Sequence, residues 1–245
     1  MSNPKVSIIF PFYNCEKYIE EALASMEYLK SDDFEIIAIN DGSTDKSVII
    51  AWDALGRFSI DYTLISMKHR QGCFSARMRG IKVARGQFIA FADADDVSIE
   101  GRFEKQLKYL EDNRCPPRYI DGCGGWAEKI DENGQNIGLM DYPPLKNEDI
   151  ISKIKNDPTC NPFIDPTMMI DKAVIYHLGY RIGYGVDLVA DMDLWLRALK
   201  MKYTFHNIQE PLIKYRVNPE GNTQSHQKEM IRQHVNVRNE FIKGI

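Results

Sequence analysis

Three aspartates follow an apolar run in the first half of the chain. The run 87–92 lies between Gly86 and a polar cluster, which predicts a buried strand of a parallel sheet. Side chains alternate along an extended segment, so Asp93 and Asp95 project to the same side. Two neighbouring carboxylates repel each other, which is tolerable when a hard divalent cation lies between them and a phosphate. The Asp-x-Asp sequence therefore predicts a Mn²⁺ or Mg²⁺ site for a nucleotide diphosphate.

The carboxylates of this predicted site have different expected roles. We expect Asp95 to be the metal ligand, and Asp93 to contact the ribose hydroxyls or to complete the metal shell. The alternative is a solvated acidic loop ahead of a helix, with Asp96 or Ser98 as its cap, because carboxylates favour helix starts. The remainder of the chain favours the metal site.

Strands and helices alternate through the first hundred residues. The patterns predict strands at 6–10, 34–39, 62–67 and 87–92. They also predict a helix with Asn14 as its N-cap and helices at 45–57 and 74–85. Such repeats predict an α/β fold with a Rossmann-like, mostly parallel central sheet flanked by helices. Ligands of such sheets bind outside the carboxyl ends of the strands. Because Asn14, Asp41 and Asp93 all follow strand ends, we expect them to converge on one rim.

The pattern changes from residue 100 onwards. It predicts helices at 102–113, 146–156, 190–201 and 225–243, the first of them broken by Pro116-Pro117. It also predicts a hairpin turn at 131–134 and strands at 119–130, 167–170, 203–208 and 212–217. We divide the single continuous domain into a nucleotide-binding half (1–98), an acceptor-binding half (99–222) and a C-terminal helix (223–245).

Composition excludes several classes of protein. The 245 residues carry 31 Lys and Arg against 35 Asp and Glu, so no basic field favours nucleic acid as a partner. The five cysteines include no Cys-x-x-Cys pair, which disfavours a disulfide framework and a structural zinc site. No apolar run approaches the roughly 20 residues of a membrane span, and no signal peptide is recognisable. We therefore expect a cytoplasmic protein, at most peripheral to the membrane.

Five segments in order resemble the family-2 glycosyltransferases: Val6–Asn14, Asn40–Asp45, Ala76-Arg77, Asp93–Asp96 and Asp191–Arg197. The resemblance extends from residue 6 to about residue 217. It implies the GT-A fold and the transfer of a sugar from a nucleotide diphosphate with inversion, as most members do. For this chain the resemblance favours a UDP-sugar over GDP- and dTDP-sugars. It also implies a saccharide or lipid-linked oligosaccharide acceptor, in the synthesis of a cell-surface polysaccharide.

The resemblance also assigns the donor-binding residues. Asp41 would accept a hydrogen bond from the imide N–H of uracil, since a carboxylate only accepts. Arg77 and Arg216 would reach the phosphates. The other donor-binding residues implied are Pro11, Tyr13, Asn14, Asp93 and Ala94. Simpler interpretations are a turn-forming Asp41, a solvated Arg77 and plain packing for Phe12, which we prefer for that residue.

An inverting transfer needs a base that takes the proton of the acceptor hydroxyl. Family members often have Glu-Asp at this helix start, where this chain has Ala190-Asp191, so Asp191 is the expected base. Trp195, one turn further on, would wall the site and raise the pKa of that carboxyl by desolvation. Alternatively, Asp191 caps the helix and Trp195 is core. Trp126 and Asp165 are acceptor candidates on position alone.

Two features near the C-terminus remain open. Asn218 stands where the family's Tyr-Arg-x-His segment has its histidine, and the following stretch 219–224 could order over the bound donor. The last helix has an apolar stripe that includes Met230, Val237 and Phe241. Core packing or a homodimer explains this stripe; the alternative is peripheral contact with an anionic membrane.

Three other functions compete with this prediction. A nucleotide-sugar-binding protein that has lost catalysis would explain Ala190 and Asn218. A Rossmann dehydrogenase is disfavoured, because Pro11-Phe-Tyr-Asn14 stands where Gly-x-Gly-x-x-Gly should follow the first strand. A processive polysaccharide synthase would need membrane spans and, by family analogy, Gln-x-x-Arg-Trp, which the sequence lacks.

Overall fold

The computed structural model of the protein describes residues 3–114, 119–157, 161–218 and 226–243. Its strands are β1 (Val6–Phe12), β2 (Phe34–Asn40), β3 (Asp61–Ser66), β4 (Phe88–Phe91), β5 (Val97–Ser98), β6 (Gly122–Ile130), β7 (Asn136–Met140), β8 (Met169–Asp171) and β9 (Phe205–Arg216). Its helices are α1 (Ile19–Ala24), α2 (Ser47–Leu55), α3 (Cys73–Val83), α4 (Arg102–Asp112), α5 (Asn147–Asn156), α6 (Lys172–Leu178), α7 (Ala190–Lys200) and α8 (Gln227–Ile242), with a short 3-10 helix at Asp165–Thr167.

One sheet contains all of these strands, in the order β3-β2-β1-β4-β8-β6-β9-β5, with β7 paired to β6. Strands β1 to β4 run parallel to one another, as do β6 and β9. Strand β8 is antiparallel to both of its neighbours, β4 and β6, and so joins the two parallel groups. The predicted α/β fold is confirmed.

Helices cover both faces of the sheet, which is why β1, β2 and β4 are buried along their whole length. Alternation along β1 sends Ile8 and Phe10 into one core cluster and Ile9 into the other. The first cluster includes residues of α1, α2 and α4, and the second includes residues of α3, α5, α6, α7 and α8. Both clusters therefore draw on both predicted halves of the chain, while the boundaries of those halves stay a prediction.

Three local predictions were wrong. Asp96 does not cap a helix, because β5 comes next and α4 begins only at Arg102, after Gly101 with a φ of +80°. Asn14 does not cap α1, which begins at Ile19; Asn14 lies in the preceding loop with a φ of +44°. The two strands predicted within 203–217 are one strand, β9, whose pairing with β6 shifts register around Trp126.

The C-terminal helix α8 packs on α7. Val237 and Phe241 are buried in the second core cluster, which agrees with core packing of the apolar stripe. No helix in the described part of the chain is long and apolar enough to cross a membrane. The predicted donor-covering stretch 219–224 and the Pro116-Pro117 helix break lie outside the described residues.

Gly86 allows the turn before β4 to approach β1. A Cβ at this position would lie 2.6 Å from the Ser7 backbone nitrogen and 2.8 Å from the Val6 carbonyl carbon, and neither backbone atom can move away. We expect Gly86→Ala to lower the free energy of unfolding by about 1–3 kcal/mol, measured by urea denaturation. Gly56→Ala is the matched control, since a Cβ there meets only ordinary contacts, the nearest at 3.5 Å. Equal stability of the two variants would contradict this account of Gly86.

Candidate active site

A cleft of about 870 Å³ opens at the carboxyl ends of β1, β2 and β4. It contains the predicted metal ligand and every predicted donor-binding residue except Arg77: Pro11, Tyr13, Asn14, Asp41, Asp93, Ala94, Asp95 and Arg216. The polar residues that follow separate strands thus converge on one rim. Phe12 is buried at this edge, in agreement with the packing role preferred for it.

The carboxylate of Asp41 holds the loop after β3. The backbone N–H groups of Gln71 and Gly72 donate to its two oxygens, at 2.7 and 2.8 Å. This loop carries Arg70, whose guanidinium lies 4.4 Å from the centre of the Tyr13 ring. Arg70 also lines the cleft and was missed by the sequence analysis. Its only signal in the sequence was the basic run 68–70, which Gln71 separates from the glycine before α3.

Hydrogen bonds also join the loops after β1 and β2. The backbone N–H of Thr44 donates to Asn14 Oδ1 (2.8 Å), and the N–H of Asn14 donates to the Ser43 hydroxyl (3.1 Å). Asp45 accepts from the N–H groups of Glu16 (3.1 Å) and Ser47 (3.0 Å). These bonds fix two walls of the cleft relative to each other before any ligand binds.

The three aspartates after β4 lie in different environments. The side chain of Asp93 is 29% exposed and accepts from Arg77 (2.8 Å). Burial and the charge of Asp93 raise the pKa of Asp95 to about 6. Asp96 is buried and accepts the backbone N–H of Arg216 (2.8 Å), and burial with the charges of Asp95 and Asp93 raises its pKa well above the usual range. Asp96 therefore ties this turn to the end of β9.

Arg216 holds the backbone of the same turn. Its Nε donates to the Asp95 carbonyl (2.9 Å), Nη1 to the Asp131 carbonyl (3.1 Å) and Nη2 to a carboxylate oxygen of Glu21 (2.6 Å). The guanidinium lies 4.7 Å from the centre of the Tyr18 ring. Arg216 lines the cleft, and its bonds to protein groups position the Asp95 turn. Its contact with a phosphate stays a prediction.

Arg77 holds Asp93 from behind the cleft. Its side chain is 2% exposed and donates to both Asp93 and Asp165, with Phe91 beneath the guanidinium at 4.5 Å. Burial opposes the charge of Arg77, but the two carboxylates raise its pKa well above the usual range. Because Arg77 is buried, its guanidinium is not on a solvated helix face. It also does not line the cleft, which contradicts the expectation that it reaches a diphosphate there.

Asp165 and Trp195 continue this network into the core. The indole N–H of Trp195 donates to Asp165 (3.2 Å), and its ring is 0% exposed among Phe91, Phe163 and Phe205. The expectation that Trp195 contacts an acceptor is therefore corrected, because its side chain is enclosed by protein. Asp165 is 11% exposed, and its carboxylate bonds Arg77 and Trp195.

Asp191 lies in the first turn of α7 and lines a second pocket. Burial, with the charge of Asp165, raises the pKa of its carboxyl to about 7, against the opposing charge of Arg77. Asp193 has a different environment: it is buried and accepts from Arg181 and Arg197, so it is structural. Trp126 lines neither of these pockets, and its indole N–H donates to the Pro143 carbonyl (3.4 Å).

The carboxylates in the cleft fit a divalent cation that a ligand also coordinates. Within the described ranges, no group of three or more His, Cys, Asp or Glu side chains could hold a metal ion by itself. Asp93 and Asp95 offer the hard oxygen donors that Mn²⁺ and Mg²⁺ prefer. The remaining coordination positions must then be filled by oxygens of the ligand and water.

Comparisons with known proteins agree with this geometry. The family model of Glycosyl transferase family 2 matches residues 7–172. An uncharacterized glycosyltransferase of Methanocaldococcus jannaschii is 32% identical over 224 residues, which cover 89% of this chain and 72% of the relative.

Solved structures share the fold. S. aureus TarS in complex with UDP-GlcNAc has a TM-score of 0.69 at 18% identity, and the match covers 90% of this chain but only 60% of the TarS chain. The mannosyltransferase PcManGT of Pyrobaculum calidifontis, in complex with GDP-Man and Mn²⁺, has a TM-score of 0.66 at 16% identity, covering 100% of this chain and 73% of that one. Both likenesses support the predicted GT-A fold.

The contacts of Arg216 predict that a lysine cannot replace it. Arg216 bonds the Asp95 carbonyl, the Asp131 carbonyl and Glu21 through three different nitrogens of its planar fork. A lysine has all of its donors on one nitrogen and cannot keep this geometry, so the Asp95 turn should loosen. If the cleft binds a nucleotide diphosphate with a divalent cation, with UDP and Mn²⁺ as the probes, we expect Arg216→Lys to weaken that binding about tenfold, as measured by calorimetry. Arg85→Lys is the control, because Arg85 bonds Glu35 and Asp61 away from the cleft. Unchanged affinity in Arg216→Lys would show that these bonds do not support the site.

Proposed function

The chain belongs to glycosyl transferase family 2, and from this membership we propose that it transfers a sugar from a UDP-sugar to a saccharide or lipid-linked oligosaccharide hydroxyl, with inversion. One observation carries the proposal. The cleft presents Asp93 and Asp95 at the strand ends, and a network of buried side chains leads from Asp93 to the helix that bears Asp191.

The nucleotide would bind where the loops after β1, β2 and β3 meet. Pro11 and Tyr13 would wall the base, with the Arg70 guanidinium beside the Tyr13 ring. Each oxygen of Asp41 accepts one backbone N–H, which leaves lone pairs for the imide N–H of uracil. The complex of TarS with UDP-GlcNAc supports a uridine donor, whereas PcManGT in complex with GDP-Man makes guanosine the competing candidate.

Asp95, with Asp93, would hold a Mn²⁺ or Mg²⁺ ion. When bound, such an ion neutralises negative charge that builds on the departing diphosphate, which is Lewis-acid stabilisation of the leaving group. The protein's own contribution is to keep two carboxylates together in the cleft, Asp93 through Arg77 and Asp95 through Arg216. PcManGT in complex with Mn²⁺ supports this choice of cation.

Asp191 would take the proton from the acceptor hydroxyl. The ideal pKa of a general base lies near the working pH, and burial with the charge of Asp165 raises that of Asp191 to about 7. The proton moves from the attacking hydroxyl to the carboxylate while the bond from the anomeric carbon to the diphosphate breaks. The hydroxyl oxygen then forms the new glycosidic bond.

A binding protein that has lost catalysis is the second candidate, favoured by Ala190 where the family often has a glutamate. Ala190 is fully buried in the second core cluster, where a glutamate carboxylate would be costly to bury. We also propose that the protein acts in the cytoplasm, in the synthesis of a surface polysaccharide. Peripheral contact with the membrane and a homodimer stay proposals as well.

Nucleotide binding tests the donor and the metal together. We expect calorimetry with UDP, GDP and dTDP to show UDP binding that requires Mn²⁺ and is lost in Asp95→Ala, which removes the proposed ligand. Asp53→Ala, which removes an exposed carboxylate on α2, should bind as the unmodified protein does. Preference for GDP would correct the donor, and no binding of any nucleotide would refute the donor site.

The role of Asp191 has a separate test. Asp191→Asn cannot accept a proton, so we expect transfer to fall about 10²- to 10⁴-fold while affinity for UDP and Mn²⁺ is unchanged. The rate of the unmodified enzyme should fall as the pH drops below about 7, because the protonated carboxyl is no longer a base. Release of UDP from UDP-sugars in the presence of alkyl glycosides measures both effects.

Asp187→Asn, at an exposed carboxylate just before α7, is the control and should keep the full rate. Full activity of Asp191→Asn would place the base elsewhere. An unmodified protein that binds UDP but transfers to no acceptor would favour the binding-protein alternative.

A further inference from the structure

The second pocket lies between the start of α7 and the C-terminal helix α8. Its volume is about 190 Å³. The apolar residues of its lining are Val189, Met192, Met230 and Ile231, and the polar ones are Asn161, Asp191 and His234. We propose that this pocket is the acceptor subsite, which holds one sugar ring of a saccharide acceptor, and that His234 hydrogen-bonds a hydroxyl of that ring. This inference rests on the proposed function, because it takes Asp191 as the base.

His234 supplies an unsatisfied polar atom. Its Nε2 is buried and has no hydrogen-bond partner in the described structure. A buried polar atom without a partner is costly, so such atoms in native proteins are usually paired. Burial also lowers the pKa of His234, which keeps the imidazole neutral. A neutral imidazole both donates and accepts, as a sugar hydroxyl does.

The apolar walls suit a sugar ring as well. Binding pockets for small molecules combine mainly apolar linings with a few polar groups that orient the ligand. Met192 and Met230 are unbranched and adapt to irregular shapes, so they can follow the C–H face of a ring. Asp191, His234 and Asn161 then provide polar groups for its hydroxyls.

The position of the pocket fits an acceptor better than a donor. Asp191 lies one turn before Trp195 on α7, and the indole of Trp195 donates to Asp165. Arg77 donates to Asp165 and also to Asp93 in the donor cleft. Asp191 itself lines the second pocket but not the cleft. The expected base thus connects the two sites, and a hydroxyl bound in the pocket would lie beside the carboxylate that must take its proton.

Part of this pocket lies beyond the segments that resemble the family, which end at about residue 217. The family model ends at residue 172, whereas α7 and α8 follow it. Met230, Ile231 and His234 all belong to α8. The choice of acceptor would therefore depend on the C-terminal helix of this chain, while the donor site lies within the matched region.

Histidine NMR tests the proposal without knowledge of the natural acceptor. The probes are methyl and octyl glycosides of glucose, galactose, mannose and N-acetylglucosamine, added to ¹³C-histidine-labelled protein with and without UDP and Mn²⁺. We expect at least one glycoside to shift the resonance of His234. Its affinity should fall about tenfold in His234→Ala, which loses the hydrogen bond, and in Ile231→Trp, which fills the pocket.

Matched variants separate this result from misfolding and from failure of the donor site. Ile231 is 52% exposed, so a larger side chain is tolerated there, and His177→Ala removes an exposed imidazole outside the pocket. All three variants should bind UDP with Mn²⁺ as the unmodified protein does. The proposal is overturned if no glycoside shifts His234, or if His234→Ala and Ile231→Trp bind the glycoside normally. Absence of UDP binding alone would refute the donor site and leave the glycoside result to be judged without nucleotide.

Discussion

Two buried guanidinium groups hold the acidic turn on which the rest of the site depends. Three carboxylates within four residues repel each other, and burial of such charges is costly unless they are paired. Arg77 donates to the Asp93 carboxylate from the core side, and Arg216 donates to the Asp95 carbonyl from the end of β9. Because Arg77 lies on α3 and Arg216 on β9, the turn also joins α3 to β9.

The same constraint links the donor cleft to the base. Arg77 bonds Asp165 as well as Asp93, and Asp165 accepts the indole N–H of Trp195 in α7. Asp191 lies one turn earlier on that helix, and the charge of Asp165 contributes to its raised pKa. The position of the expected base and its electrostatic environment are therefore both set by the residues that hold Asp93. Aromatic packing around Trp195 keeps this arrangement rigid.

Sequence reasoning predicted the elements that local patterns specify. Local sequence is enough to predict the strands β1, β2 and β4 from their apolar runs, and α4 from its amphipathic pattern. In each case the order of apolar and polar residues within the segment indicates which side chains are buried. It failed where distant residues decide. The Asp96 carboxylate accepts the backbone N–H of Arg216, 120 positions away, and therefore does not cap a helix. The last part of β9 continues along β6 after a register shift at Trp126, so two predicted strands are one.

The sequence by itself determined the parallel sheet, the rim on which polar residues meet and the family resemblance, since strand ends and motif order are local properties. Only the tertiary structure decided what the charged residues contact. The sequence around an arginine is the same whether its guanidinium contacts a phosphate or a protein group. The structure shows that Arg77 donates to the Asp93 carboxylate and Arg216 to the Asp95 carbonyl. His234 carried no motif at all, because its place beside Asp191 exists only once α8 packs on α7.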